Sequence, residues 1–135
     1  MAVFLNNGVV LTVDGVDLSE FVTSATLNLN YDELEVTSMG SGGHEFVKGL
    51  EANSITIDFL NDNGTSGVLA TLVSNWGDSV TVTVKNSSGA TSAGNPLFTM
   101  SCLVNGITPV NGAVADLSTQ SVTWTVNGVV TKAIS

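Results

Sequence analysis

Hydrophobic and polar residues alternate with a period of two in several segments of this chain. Ala25, Leu27, Leu29 and Tyr31 fall on one side of an extended backbone, with Thr26, Asn28 and Asn30 on the other. Ile55, Ile57 and Phe59 alternate with Ser54, Thr56 and Asp58, and Val80, Val82 and Val84 with Thr81, Thr83 and Lys85. Near the end, Val122, Trp124 and Val126 oppose Ser121, Thr123 and Thr125. Successive side chains leave a strand on opposite faces, so this alternation predicts half-buried β-strands. Asp14-Gly15, Asn63-Gly64, Asn105-Gly106, Asn111-Gly112 and Asn127-Gly128 supply the positive φ angles of tight turns, and Asp14-Gly15 between Val9–Val13 and Val16–Leu18 predicts a hairpin. One segment departs from period two: Val68, Leu69, Leu72, Val73 and Trp76 recur at helical spacing, with Ser66 placed to cap the start and Gly77 the end. The expected architecture is all-β, mainly β with one short helix, arranged as a β-sandwich or flattened barrel with the helix over an open end or one face. A chain of 135 residues is long enough to close such a core without metals or disulfides, so residues 1–135 are read as a single domain.

Two segments carry no period. The first, 37–51, is a Gly-rich connection between two strongly patterned strands, where a hairpin would need only about two to five residues. Its apolar Met39, Phe46, Val47 and Leu50 argue against disorder and for packing on something. The second, 86–95, is rich in Ser, Gly and Ala and reads as an exposed, flexible loop.

Composition changes the picture of the surface. Hydrophobic residues make up 43% of the chain but charged residues only 11%, so Ser, Thr, Asn and Gly fill the non-core positions, a surface suited to contacts with protein. Twelve acidic residues against three lysines give a net charge of −9, which repels phosphates and argues against tight binding of DNA or RNA. Phe98, Met100, Cys102 and Val104 alternate, so the single Cys102 is expected to be a buried free thiol. Residues 1–8 lack the basic and apolar regions of a signal peptide, and no apolar run is long enough to span a bilayer, so no membrane partner and assembly in the cytoplasm are expected.

The chemistry of an enzyme is thin, and no catalytic role or cofactor is expected. His44 has no Gly-x-Ser-x-Gly serine to activate. Gly40-Ser41-Gly42-Gly43 lacks the third glycine and following helix of a phosphate-binding loop. Asp58, Asp62 and Asn63 lack the spacing of a calcium loop, and one His with one Cys cannot close a zinc site. Asp32, Glu33 and Glu35 are carboxylates close in sequence, which without sugar-stacking aromatics read as a solvated turn and not a glycosidase pair.

Strand edges point to assembly instead. Monomeric sheets protect their edges with Lys, Pro or bulges, yet the run 119–127 has no charge, so it is either interior or covered by a neighbouring subunit. The loop at 37–51 and short extensions at both termini are natural arms for gripping neighbours. Val13-Asp14-Gly15-Val16-Asp17-Leu18-Ser19-Glu20-Phe21-Val22, then Leu34-Glu35-Val36-Thr37-Ser38-Met39-Gly40, then Gly49-Leu50-Glu51-Ala52-Asn53-Ser54-Ile55-Thr56-Ile57, resemble the small tail tube (major tail) proteins of long-tailed bacteriophages. That resemblance implies hexameric rings stacked into a hollow tube in the virion tail, with the inner sheets of six subunits joined around the lumen. It implies partners in other copies of the chain, a terminator and the tail tip, and DNA that passes without specific binding.

The same resemblance makes Met39, Gly40, Ser41, Gly42, Gly43, His44, Glu45, Phe46, Val47 and Lys48 the assembly loop, in contact with adjacent subunits or rings. It makes Asp32, Glu33, Glu35, Asp58 and Asp116 candidates for an acidic lumen, with the choice among them open. Family members often carry an Arg or Lys in this loop after the Met-Gly, whereas here His44 and Lys48 are the only candidate cations, so few inter-ring salt bridges are expected from it. The alternatives are a capsid decoration protein, small, β-rich and trimeric, and a carbohydrate- or receptor-binding sandwich. Trp76 and Trp124, both at core-like positions, speak against the sandwich.

Overall fold

The computed structural model describes residues 8–135, so the N-terminal segment 1–7 lies outside the described residues. Nine strands and one α-helix follow each other as β1 (Val10–Val13), β2 (Val16–Asp17), β3 (Val22–Asn28), β4 (Tyr31–Glu35), β5 (Phe46–Glu51), β6 (Ser54–Leu60), α1 (Val68–Asn75), β7 (Ser79–Lys85), β8 (Leu97–Leu103) and β9 (Thr119–Ala133). Seven strands form one antiparallel sheet in the order β2-β1-β7-β8-β9-β6-β3, and β4 and β5 form a separate hairpin. The large sheet curls into a half-barrel, which lets one sheet supply both layers of the core.

The predicted strand faces are those that turn inward. Ile55, Ile57 and Phe59 from β6, Val82 from β7, Cys102 from β8 and Trp124 from β9 are buried, and Leu11 and Val13 of β1 close the core from across the barrel. Each such side chain contributes about 1.5–3 kcal/mol relative to an exposed one. Trp124 keeps its polar edge satisfied, its indole Nε1 donating to the Gly106 carbonyl at 3.2 Å.

The uncharged run 119–127 is interior. Strand β9 lies between β6 and β8, pairing Thr119 to Thr125 with β6 and Thr125 to Ala133 largely with β8. Asn127-Gly128 is therefore no turn. Between the pairs Thr99–Thr131 and Ser101–Asn127 strand β8 advances two residues and β9 four, and Gly128 takes a φ of +76° inside this bulge. A bulge of this kind bends a strand and increases its twist. Asp14-Gly15 makes the expected hairpin, with φ of 53° and 80°, and Gly112 is also at positive φ, whereas Gly64 and Gly106 are not.

Other expectations are displaced. The patterned run 25–31 breaks after Asn28, leaving Leu29 and Tyr31 half exposed. Helix α1 buries Val68, Thr71 and Leu72, but its N-cap is Gly67 and not Ser66: the Leu69 amide donates to the Asp62 carbonyl, and the Thr71 hydroxyl to that of Gly67. A side chain at 67 would meet the Asp62 carboxylate and backbone, so the close turn leaves no room for a capping serine there. Gly77 ends the helix as expected, at a φ of +91°. Trp76 is not a core residue; it stands 64% exposed at the helix end, because the chain turns outward there to enter β7. The loop at 86–95 is tied by Asn95, whose side-chain nitrogen donates to the Ser87, Gly89 and Ala90 carbonyls. The C-terminal extension is absorbed into β9. No helix among the described residues is long and apolar enough to cross a membrane.

Trp124→Ala is expected to cost about 3–5 kcal/mol in urea unfolding, as a large buried side chain does. Trp76→Ala should change stability by no more than about 0.5 kcal/mol; equal losses at the two positions would contradict this placement. Burial pushes the Cys102 thiol up to about 11. At pH 8 it should therefore resist thiol reagents in the folded protein and react once urea unfolds it.

Candidate assembly surface

In an antiparallel sheet the connections collect at two ends, and here the ends differ. One carries the β4–β5 hairpin and the 86–96 loop. The other carries the β1–β2 turn, the helix and the 104–118 loop. The expected assembly loop is for the most part that hairpin. Phe46, Val47 and Lys48, read as loop, belong to β5, so the irregular tip shortens to 36–45. The period-two signal was hidden because Gly49 and a bulge interrupt it. From Tyr31–Glu51 to Glu33–Lys48 strand β4 advances two residues and β5 three. A Cβ at Gly49 would lie 3.1 Å from the Asp32 Cβ, so a side chain there crowds the crossing.

The pairs Glu35–Phe46, Leu34–Val47 and Glu33–Lys48 sort the hairpin into two faces. One is mixed and charged, with Lys48 Nζ 4.9 Å from the centre of the Tyr31 ring. The other carries Leu34, Val36 and Val47, each about half exposed. Met39 at the tip has no neighbour to cover it, and Leu50 is 80% exposed. The tip is nonetheless built. Glu35 accepts from His44 Nδ1 at 2.6 Å and from the Thr37 hydroxyl at 3.0 Å, and Thr37 Oγ1 accepts from the Glu45 amide at 2.9 Å. Ser41 donates its amide to the Ser38 carbonyl, so Gly40 sits in a short closed turn, and Gly42 and Gly43 follow it.

The residue that ties this hairpin to the barrel was not singled out from the sequence. Asn53 is buried; its Oδ1 accepts from the Asn30 amide at 2.8 Å and its Nδ2 donates to Glu51 at 2.9 Å. Glu51 in turn accepts from the Val130 amide at 3.4 Å. An asparagine immediately before a strongly alternating strand, facing another at the end of the preceding strand, was the available signal.

The five candidate lumenal acids do not share one surface. Asp32, Glu33 and Glu35 lie on the hairpin, with Asp32 on the opposite face from the other two. Asp116 is in the 104–118 loop at the far end. Asp58 alone is on the outer face of the sheet, between Ser24 of β3 and Ser121 of β9. That face repeats in rows across three strands: Thr26–Thr56–Thr123 and Asn28–Ser54–Thr125 follow, with the Thr56 and Thr123 hydroxyls 3.1 Å apart. Beside it β3 is an open edge, seven residues long and without a charge.

Solved structures of this shape include chains from a virion, a tail and a contractile injection system. A chain in the virion of a native gene transfer agent particle is similar at a TM-score of 0.75 and 11% identity, over 97% of this chain and 99% of that one. A chain in the tail of an empty gene transfer agent particle, refined with C6 symmetry, is similar at 0.66 and 14%, over 84% and 82%. A chain in the sheath/tube terminator of an extracellular contractile injection system, in the extended state, is similar at 0.70 and 16%, over 98% of each. At such identities the likeness is one of fold, and the all-β tail tube fold is what it shows. No protein-family model and no curated protein matches the sequence.

Asn53→Ala is expected to loosen the hairpin while the barrel stays folded. Amides of residues 30–51 should exchange faster than those of β6 and β9, and uniform exchange across both would show that Asn53 is no anchor.

Proposed function

We propose that this chain is a structural subunit of a virion tail tube and not an enzyme, closing with five other copies into rings that stack around a DNA-conducting lumen. The observation that carries this reading is the β4–β5 hairpin, a two-stranded ribbon standing off the barrel with an apolar face and an uncovered tip. Such a ribbon is marginal by itself and gains stability when a partner covers it. The fold likeness to a chain in a sixfold-symmetric tail and to a chain in a virion supports one kind of partner, more copies of the same chain.

The open edge of β3 supports ring closure, since an uncharged edge strand accepts another strand by backbone hydrogen bonding. If sheets join through it, each subunit's core and helix must lie on one side and the hydroxyl rows on the other. The bulky side fits only the outside of a ring, so the rows with Asp58 face the lumen. A wall of neutral hydroxyls and carboxylates gives phosphates nothing to hold, as a conduit for DNA requires. On this reading the hairpin residues Met39 to Lys48 contact neighbouring copies. The host cytoplasm is where the tube is assembled, with the terminator and tail tip at its ends.

Negative-stain electron microscopy of the concentrated protein should show sixfold rings or hollow tubes; trimers would instead support a capsid decoration role. Deleting 38–45 should leave a folded subunit that makes no tubes, and tubes of normal length from that variant would refute the role given to the hairpin. Asp58→Lys is expected to permit tubes but slow DNA ejection from particles, since a basic wall retains phosphates. Ejection at the normal rate would remove Asp58 from the lumen.

A further inference from the structure

The curled sheet leaves a seam. Strand β3 stands at one end of the strand order and β2-β1 at the other, and among the described residues no ladder joins them. The two sides nevertheless approach each other, since Val9 and Ser19 line one groove together with Val22 to Thr26 of β3. Where this seam meets the hairpin end, the inward face of the sheet is not filled. Ala25 and Leu27 of β3, Leu29 just after it, Ile55 of β6, Val84 of β7 and Phe98 of β8 line a cavity of about 180 Å³. These are core-facing positions, because Leu27 pairs with the fully buried Ile55 and Phe98 with the buried Val84. The polar residues of the lining are Lys85 and Asn86, and the Lys85 amine is turned to the Gly89 carbonyl at 2.9 Å.

The cavity asks for an apolar occupant, and the chain supplies one next to it. Val9, where the chain enters the barrel, is itself part of the cavity wall. Ahead of it Ala2-Val3-Phe4-Leu5 is an unbroken apolar run, and no residue from 1 to 8 is charged. Asn6-Asn7-Gly8, between that run and Val9, are residues of tight turns. Five residues separate Phe4 from Val9, a tether of at most about 18 Å. An apolar cavity of about 150 Å³ takes up a benzene ring from water, so the space beside Val9 has the size of one phenylalanine ring. A short tether also gives Phe4 a local concentration in the millimolar range, which favours the segment of the same chain over that of a neighbour.

We propose that the segment 2–5 folds back over the seam and seats the Phe4 ring in this cavity of its own chain, completing the core that the sheet leaves open. The N-terminal extension then grips its own barrel and not an adjacent subunit. Leu29, 47% exposed without this cover, becomes part of the core. The inference concerns a single subunit and stands apart from the tube reading.

Two measurements test it. Phe4→Ala should lower the folding equilibrium constant in urea about ten-fold or more at every protein concentration, whereas Asn6→Ala should change it by less than about two-fold. In the full chain carrying Phe4→Cys and Leu29→Cys, mild oxidation should close a disulfide, with which buried Cys102 does not compete. Oxidising a mixture of isotope-labelled and unlabelled chains and weighing the linked peptides shows whether the bond lies within one chain, the result expected. Ala25→Cys takes the place of Leu29→Cys should circular dichroism show the latter unfolded. A Phe4→Ala chain as stable as the parent, or a disulfide that joins only separate chains, would overturn the proposal and leave the tube reading intact.

Discussion

Everything in this molecule depends on one strand serving two halves of a sheet. The first residues of β9 pair with β6 and the last with β8, the change of partner falling at Thr125, and the bulge at Gly128 bends the strand within its β8-paired half. A flat seven-stranded sheet of this length would bury one face only if something else covered it. Curling the sheet makes it cover itself, so that Trp124 and Ile57 share one buried core with Leu11 and Val13. The cost of the bend is an incomplete circumference. The half-barrel ends at β3 on one side and at the short β2 on the other, and only β2 is too short to serve as a template.

That incompleteness and the hairpin are linked through β6. Asn53 stands at its first residue's threshold, buried, and holds Asn30 and Glu51 in place. The hairpin is therefore carried by the same strand that supports the open edge β3. A buried amide with its partners satisfied is well suited to this, because misplacing it leaves unpaired polar groups in a dry site.

The barrel was legible in the sequence because burial on one face imposes period two, and that period survives in Ile55 to Phe59, Val80 to Val84 and Val122 to Val126. Where neither face is buried, the signal vanishes. The strands of the hairpin are exposed throughout, so 46–51 read as loop, and the alternation through Leu29 and Tyr31 promised a core that is not there. Trp76 misled for a related reason: helical spacing names a face but not the residue at which the chain leaves it. Turn dipeptides were ambiguous as well, since Asn-Gly gives the same backbone freedom to a bulge inside a strand as to a hairpin turn. The segment 37–51 stood out through an anomaly of length and composition, which did not reveal that Asn53 anchors the hairpin it belongs to.

The two ends of the molecule are unlike in shape and in the elements that build them. A surface that recognises itself consumes both partners and stops at two. A surface that recognises a different surface on the far side of the next molecule renews, at each addition, the opening it has just filled. Nothing in such a chain counts. Were copies to join by such unlike surfaces, every addition would leave the same end exposed, and the chain by itself would set no length.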